Sequence, residues 1–224
     1  MHQLTQFFLN LFYKPFLTRY LKKERIWIFK NIYIKVLPGV FHPRFFYSTK
    51  LMLKYINTLQ LKDKNILEPG AGSGLTAIFC AKQNAYVTAT DINKTAIENI
   101  KINATVNNIS MNIIYSDLFE NIPFQVFDYI IINPPYYKRK PLTEEQFAWY
   151  CGENGEYFDN LFQNVHSYIS DKSTILMVLS EDCDIEMIRK KAAENKLTFA
   201  EIVKKRIWFE TNYIFSIQIT AFHP

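Results

Sequence analysis

The stretch NILEPGAGSG, residues 65–74, runs from a short apolar segment into three glycines separated by small residues. This order is typical of a buried strand followed by a helix, joined by a turn whose glycines let a ligand approach the backbone. A dinucleotide-binding turn would carry a small residue at its sixth position, but Leu75 stands there when the count begins at Gly70. The phosphate-loop pattern GxxxxGK[ST] does not occur in the sequence. The turn therefore predicts a ligand site, with NAD, FAD and phosphate-loop nucleotides disfavoured.

Short apolar runs alternate with helical patterns on the C-terminal side of this turn. Runs with strand character lie at residues 66–67, 85–90, 112–115, 127–132, 174–179, 198–204 and 213–221. Helical patterns separate most of these runs, whereas the last two follow each other directly. Strands that alternate with helices indicate a parallel sheet covered on both faces, and two consecutive strands indicate an antiparallel pair. The sequence thus predicts an α/β, Rossmann-like, doubly wound fold with a mostly parallel seven-stranded sheet and an antiparallel edge hairpin.

The N-terminal part of the chain has a different pattern. Apolar residues at helical spacing over residues 3–21 predict a short helix, which could lie on a membrane surface but is favoured to pack on its own domain. Aromatic and β-branched residues over 26–36 predict two short strands, and Ser48 is expected to cap the next helix. We therefore divide the chain into a basic, aromatic helix-and-hairpin extension, residues 1–47, and a ligand-binding domain, residues 48–224.

Charge is distributed unevenly along the chain. Residues 1–64 contain twelve Lys and Arg against two acidic residues, a net charge of +10, which leaves −5 for residues 65–224. A basic segment on an acidic body suggests an anionic partner such as nucleic acid, although a solvated basic face would look the same. Charge alone leaves both interpretations open.

The composition argues against several classes of protein. No run approaches the roughly 18 apolar residues of a membrane span, and the N-terminus lacks the basic leader and cleavage site of a signal peptide. The three cysteines form no Cys-x-x-Cys pair, which disfavours a disulfide framework and favours a reducing, cytoplasmic location. The four histidines show no ligand spacing, so we expect no metal site.

Two acidic residues follow predicted strands downstream of the glycines. Asp91 lies 21 residues after Gly70, where a carboxylate can accept hydrogen bonds from both hydroxyls of a ribose. Asp117 follows the third strand, where it could accept from an adenine amino group. Simpler roles are a helix-start carboxylate for Asp91 and a turn residue for Asp117. The combination with the glycine turn favours the ligand-binding interpretation of Asp91.

These features, followed by the tetrad Asn133-Pro134-Pro135-Tyr136, resemble class I S-adenosylmethionine-dependent methyltransferases in order and spacing. The resemblance implies that S-adenosylmethionine is the cofactor, S-adenosylhomocysteine the product, and residues 48–224 the methyltransferase domain. The cofactor-binding residues it implies are Glu68, Gly70, Ala71, Gly72, Gly74, Asp91, Ile92, Asp117, Leu118 and Asn133.

The tetrad is similar to that of the branch that methylates planar amino nitrogens, and the resemblance makes Asn133, Pro134, Pro135 and Tyr136 the catalytic residues. Such a nitrogen is a poor nucleophile because its lone pair is delocalised. If the side-chain oxygen of Asn133 and the carbonyl of Pro134 accept its two protons, the nitrogen can become pyramidal toward the methyl group. The prolines fix this pair of acceptors in advance, and Tyr136 offers a face for stacking. A plain proline turn at the end of a strand is the alternative.

A narrower resemblance concerns the segments on either side of the tetrad. Residues 29–44 look like the hairpin and turn before the catalytic domain in protein-glutamine methyltransferases of the HemK/PrmC type, and residues 151–155 resemble a glycine-rich segment of that group. Those enzymes modify the glutamine of the Gly-Gly-Gln loop in release factors. The resemblance implies a protein glutamine amide as the acceptor.

Basic and aromatic residues beside the tetrad keep a second acceptor open. Arg44, Tyr137, Lys138, Arg139 and Lys140 are candidate substrate-binding residues, and such a mixture suits a phosphate backbone that presents a splayed base. A solvated loop is the simpler interpretation. We therefore carry three hypotheses: methylation of a protein glutamine, methylation of an RNA or DNA amino group of the adenine N6 type, and a non-catalytic scaffold with a methyltransferase-like fold.

Overall fold

The computed structural model describes residues 23–207 and 210–220, and the helix predicted over residues 3–21 lies outside them. The elements are β1 (Arg25–Phe29), β2 (Ile32–Val36), α1 (Tyr47–Ile56), β3 (Asn65–Pro69), α2 (Leu75–Ala81), β4 (Tyr86–Asp91), α3 (Lys94–Val106), β5 (Asn112–Tyr115), β6 (Tyr129–Ile132), α4 (Glu156–Asn164), β7 (Thr174–Ser180), α5 (Ile185–Glu194), β8 (Ala200–Ile207) and β9 (Glu210–Ile217). Short 3-10 helices span Pro43–Phe45, Glu144–Ala148 and Val165–Tyr168.

One sheet of seven strands forms the centre of the molecule, in the order β5-β4-β3-β6-β7-β9-β8. Strands β3 to β7 are parallel to one another, whereas β9 is antiparallel to both β7 and β8. The chain moves outward from β3 through β4 to β5 and then returns to β6 on the other side of β3. Ligands bind at such a switch point, outside the carboxyl ends of the strands. The predicted α/β fold, with its mostly parallel sheet and antiparallel strand pair, is confirmed.

The two faces of the sheet are covered by different helices. Ile131 of β6 and Leu176 of β7 pack in one apolar cluster with α1, α2 and α3, and their sequence neighbours Ile130 and Ile175 pack in a second cluster with α4 and α5. Because successive side chains of a strand point to opposite faces, continuous apolar runs are required where both faces are covered. This explains why the sequence predicts β6 and β7 from continuous apolar runs.

The predicted start of α1 is wrong by two residues. The helix begins at Tyr47 with Phe46 as its N-cap residue, no side chain caps it, and Ser48 lies within the first turn. The ring of Phe46 stacks on Phe41 at a centroid distance of 4.3 Å. We infer that this aromatic contact fixes the entry of the chain into the helix in place of a hydroxyl cap.

The two short strands predicted over residues 26–36 form an antiparallel hairpin of β1 and β2, with Lys30 at positive φ in its turn. The apolar side chains of β2, including Ile32 and Ile34, are buried in the same cluster as α1, α2 and α3. The hairpin is therefore packed on the sheet domain, and the division of the chain at residues 47/48 stays a prediction.

Candidate active site

A cavity of about 320 Å³ lies at the carboxyl ends of the central strands. This volume is at the lower end of the roughly 300–1,000 Å³ found for small-molecule sites. The loops after β3, β4, β5 and β6 form its floor and sides, and residues of the loop after β2, the loop before α4 and the start of α4 complete it. The predicted residues that line the cavity are Glu68, Gly70, Ala71, Gly72, Asp91, Ile92, Asp117, Leu118, Asn133, Pro134, Pro135, Tyr136 and Tyr137.

The glycine turn after β3 presents its backbone to this cavity. Gly70 and Gly72 have φ values of +67° and +56°, which favour glycine. A Cβ atom built on Gly70 would find no atom within 4 Å, so the space beside this backbone is open. The amide of Gly72 donates a hydrogen bond of 2.8 Å to Oδ2 of Asp91, which fixes the turn against the end of β4.

Gly74, a predicted cofactor residue, stands at the end of the glycine turn, and its contact with the cofactor stays a prediction. It does not line the cavity but forms the N-cap of α2 at a φ of +77°. A Cβ atom on Gly74 would lie 3.2 Å from Cγ2 of Ile100 in α3. The glycine therefore allows α3 to approach the turn closely.

The carboxylates of the cavity are held by backbone amides. Oδ1 of Asp91 accepts from the amide of Asn93 at 2.9 Å, and Oε2 of Glu68 accepts from the amide of Ala77 at 2.7 Å. Burial raises the pKa of both groups, that of Glu68 to about 8, although these hydrogen bonds oppose the shift. Burial also raises the pKa of Asp117, which is half buried. Glu68 is therefore largely protonated at neutral pH in the folded protein.

The tetrad follows β6 directly, and its four residues line the cavity. Pro134 is buried, whereas Asn133 is exposed, and within the described residues its side chain makes no hydrogen bond. Tyr136 packs its ring 4.7 Å from that of Tyr137, and burial raises the pKa of its hydroxyl well above the ordinary value. Asn133 thus offers a free carbonyl oxygen, and Tyr136 remains neutral at physiological pH.

Aromatic side chains from two distant loops form one wall of the cavity. The rings of Phe41 and Phe46 stack at 4.3 Å, and the ring of Trp149 lies 5.4 Å from each of them. Sequence reasoning missed Phe41 and Phe46 as cavity residues, because only the folded chain brings the loop after β2 to the loop after the tetrad. The only sequence signal is the concentration of aromatic residues over 41–47.

The cavity lining is acidic. Among the described residues that line it are the acidic residues Asp91, Asp117, Glu144 and Glu156, together with Glu68, which is largely protonated at neutral pH. None of the lining residues in this part of the chain is Lys, Arg or His. A wall of this charge favours a cationic ligand and disfavours a phosphate group.

The predicted basic substrate residues lie outside the cavity lining. Lys138 forms an ion pair with Asp184, and the guanidinium carbon of Arg139 lies 5.4 Å from the ring centroid of Tyr150. Arg44 and Lys140 are exposed. A substrate contact of these residues stays a prediction.

Three further features of residues 23–207 and 210–220 bear on the predictions. No group of three or more His, Cys, Asp or Glu side chains in these ranges could hold a metal ion. None of the helices within these ranges has the length and hydrophobicity that a membrane span requires. Cys80, Cys151 and Cys183 are buried and unpaired as free thiols.

Comparison with known proteins identifies the family. The model of the methyltransferase small domain matches residues 31–151. A relative from Methanocaldococcus jannaschii, named "Putative protein N5-glutamine methyltransferase", is 33% identical over 177 residues, 75% of this chain and 83% of the relative. The ribosomal RNA small subunit methyltransferase C of Buchnera aphidicola subsp. Baizongia pistaciae is 32% identical over 151 residues, 66% of this chain and 43% of that protein.

The fold is also shared with solved structures. The 16S rRNA N2 G1207 methyltransferase of T. thermophilus, solved in complex with AdoMet and guanosine, superimposes with a TM-score of 0.64 at 16% identity. The match covers 88% of this chain and 50% of that chain, so this chain corresponds to about half of the larger enzyme. With a family model that matches more than half of its length, this chain belongs to the methyltransferase small domain family and is an S-adenosylmethionine-dependent methyltransferase.

Proposed function

We propose that this enzyme methylates the side-chain amide nitrogen of a glutamine in a protein acceptor that resembles a release factor. The observation that carries the proposal is the free Asn133 side chain at the start of the tetrad, in a cavity that also holds the glycine turn and Asp91. The M. jannaschii relative, whose printed name is that of a protein N5-glutamine methyltransferase, supports this acceptor.

The residues that we assign to the cofactor fit its chemistry. S-adenosylmethionine supplies an electrophilic methyl group on a positively charged sulfur. The acidic lining favours that charge, and the open backbone at Gly70 leaves room for a ligand beside the turn. The carboxylate of Asp91 accepts hydrogen bonds from the backbone amides of Gly72, Ile92 and Asn93. A carboxylate has about four acceptor sites, so it can still accept from a ribose hydroxyl. We assign Asp117 to a hydrogen bond with the adenine amino group. We assign Ile92 and Leu118 to apolar contacts with the two faces of the adenine ring.

The residues of the tetrad activate the acceptor by position. Oδ1 of Asn133 and the carbonyl of Pro134 would accept hydrogen bonds from the two N–H groups of the amide, which would turn the nitrogen lone pair toward the methyl group that the cofactor supplies. The two prolines hold these acceptors in place before the substrate arrives, so little reorganisation is needed during the reaction. The raised pKa of Tyr136 makes it unsuitable as a base, and the proton lost by the methylated nitrogen passes to water. Tyr136 serves as a stacking surface.

The charge of the cavity favours a neutral amide over a nucleotide. An RNA or DNA substrate would bring its phosphates to walls that carry Glu144 and Glu156. The second candidate, an amino group of RNA or DNA, is favoured by the exposed Arg44 and Lys140 and by the named function of the Buchnera relative. We place it second because these cations lie outside the cavity lining.

Methyl transfer from labelled S-adenosylmethionine tests the proposal. Purified enzyme is incubated with a release factor or with small ribosomal subunits, and the label is then challenged with protease or nuclease. We expect label in the release factor, and a loss of about 10²-fold or more in rate for Asn133→Ala. Asn164→Ala, at the exposed end of α4, is the matched control. Label in RNA alone would support the second candidate. Cofactor binding with no transfer to either acceptor would support a non-catalytic scaffold.

We further propose a cytoplasmic location. Three buried free thiols are compatible with a reducing compartment, where such groups stay unpaired. Formation of a disulfide on isolation without reductant, detected by thiol titration of the unfolded chain, would contradict the expectation of stable free thiols.

A further inference from the structure

Two asparagines of α3, together with the asparagine that caps its C-terminus, hydrogen-bond to the edge of the hairpin that no strand covers in the described part of the chain. Asn99, Asn103 and Asn107 follow each other at intervals of four residues, so they lie on one face of the helix. They are 0%, 0% and 9% exposed. Strand β2 pairs with β1 along one edge only, and the three amide side chains bond to the backbone along its other edge. The hairpin is therefore attached to α3 by polar contacts as well as by apolar packing.

Asn99 and Asn103 make the same kinds of hydrogen bond to β2 and the residue after it, at nearly equal distances. Oδ1 of Asn103 accepts from the amide of Lys35 at 2.9 Å, and Oδ1 of Asn99 accepts from the amide of Leu37 at 2.8 Å. Both side chains also donate from Nδ2 to the carbonyl of Lys35, each at 2.7 Å. Loss of either side chain would leave one backbone amide, that of Lys35 or of Leu37, without its acceptor. The remaining asparagine would still donate to the Lys35 carbonyl.

Asn103 differs from Asn99 in one contact. Its Nδ2 also donates to the carbonyl of Ser73 at 2.8 Å, and Ser73 stands between Gly72 and Gly74 in the glycine turn. This bond is buried, as are both residues that form it. Asn103 thus joins the turn after β3 directly to the edge of the hairpin.

The same helix holds the loop that continues from β2. The side-chain Nδ2 of Asn93, the N-cap residue of α3, donates to the carbonyl of Gly39 at 3.3 Å. The segment from Gly39 to Phe46 forms one wall of the cavity. Helix α3 therefore connects the glycine turn on one side of the cavity with the aromatic wall on the other.

We propose that Asn103 is a positioning residue that couples the docking of the hairpin to the conformation of the glycine turn, and thereby sets the affinity for the cofactor. Without its amide, the Ser73 carbonyl is buried with no donor, and the turn must rearrange or admit water. Such coupling is reciprocal, so cofactor binding also stabilises the docked hairpin. The inference rests on the proposed placement of the cofactor against the glycine turn.

Calorimetric titration with S-adenosylhomocysteine tests this role, with Asn99→Ala as the matched control for Asn103→Ala. Both variants lose one bond to a backbone amide of the hairpin segment and one of the two donors to the Lys35 carbonyl. We expect a lower thermal midpoint for both, with the larger drop for Asn103→Ala because it also leaves the Ser73 carbonyl without a donor. For Asn103→Ala we expect a Kd about tenfold higher, and for Asn99→Ala a change of less than about twofold. If Asn103→Ala does not fold, Asn103→Leu and Asn99→Leu provide the same comparison, because each keeps a side chain of similar size and loses the Nδ2 donor.

Asp91→Asn separates this inference from the placement on which it rests. We expect weaker binding of S-adenosylhomocysteine by Asp91→Asn, because the carboxylate at the cavity is lost. Wild-type affinity for Asp91→Asn would contradict the placement of the cofactor. Weaker binding by Asp91→Asn with equal affinities for Asn103→Ala and Asn99→Ala would overturn the positioning role of Asn103 and leave the placement intact.

Discussion

Replacing Glu68 with Gln should flatten the pH dependence of the free energy of unfolding. Glu68 lies in β3, is 9% exposed, and has its pKa raised by burial to about 8 from an ordinary value of 4.5. Between these two values the folded protein holds a proton that the unfolded chain has released. Stability therefore falls as the pH rises through this window, because ionisation is favoured only in the unfolded state.

The expected size of this effect follows from the two pKa values. One pKa unit corresponds to about 1.4 kcal/mol, and integration from about pH 5.5 to about pH 7.5 gives a loss of about 2.5 kcal/mol from this one group. Gln keeps an acceptor oxygen for the amide of Ala77, which Glu68 binds at 2.7 Å, and it cannot ionise. The variant should therefore lose this part of the pH dependence while it retains the local hydrogen bond.

Urea unfolding followed by circular dichroism measures the effect at both pH values. The quantity to compare is the change in unfolding free energy between them, for the wild type and for Glu68→Gln. Glu98→Gln, on the exposed face of α3, controls for the loss of one carboxylate. Equal changes for wild type and Glu68→Gln would refute the argument, because they would show that Glu68 does not carry a proton in the folded protein.

Two further predictions concern the glycine turn and the charge of the cavity. Gly74→Ala should lower the free energy of unfolding by about 2 kcal/mol more than Gly70→Ala. Both substitutions strain a positive φ, but only a Cβ at Gly74 would meet a side chain, at 3.2 Å. Urea unfolding measures the difference, and equal losses would contradict the close packing of α3. The affinity for S-adenosylmethionine should rise between about pH 7 and about pH 9, because ionised Glu68 attracts the cationic ligand. Calorimetry should show no such rise for Glu68→Gln, and a rise retained in that variant would assign it to another group.

The fold was predictable because its main signals are local. The continuous apolar runs of β6 and β7 reveal strands covered on both faces, and the glycines over 70–74 mark the change from strand to helix. Most of the candidate site followed from the same pattern, because the ends of parallel strands meet at one edge of the sheet. This brings the glycine turn, Asp91 and the tetrad together without any knowledge of side-chain packing. The assignment of these residues to cofactor and acceptor stays a prediction.

The features that sequence reasoning missed depend on partners far away in the chain. The amide of Asn103 bonds to residues 68 and 30 positions away, and Lys138 pairs with an aspartate 46 positions away. The helix expected to be capped by Ser48 begins after Phe46 instead, and the ring of Phe46 contacts Trp149, which is 103 positions away in the chain. The spacing of Asn99, Asn103 and Asn107 was a usable signal, since buried amides at intervals of four residues suggest a polar partner along one helix face.

The position of the transferred methyl group shows whether the acceptor is the amide nitrogen of a glutamine. The enzyme is incubated with deuterated-methyl S-adenosylmethionine and a release factor, and the acceptor is digested and fragmented in a mass spectrometer. We predict one trideuteromethyl group on the side-chain nitrogen of a single glutamine, formed about 10²-fold more slowly when Asn133→Ala is the enzyme. A methyl group on an oxygen, a sulfur or an aliphatic amine would contradict a site that accepts hydrogen bonds from both N–H groups of a planar nitrogen.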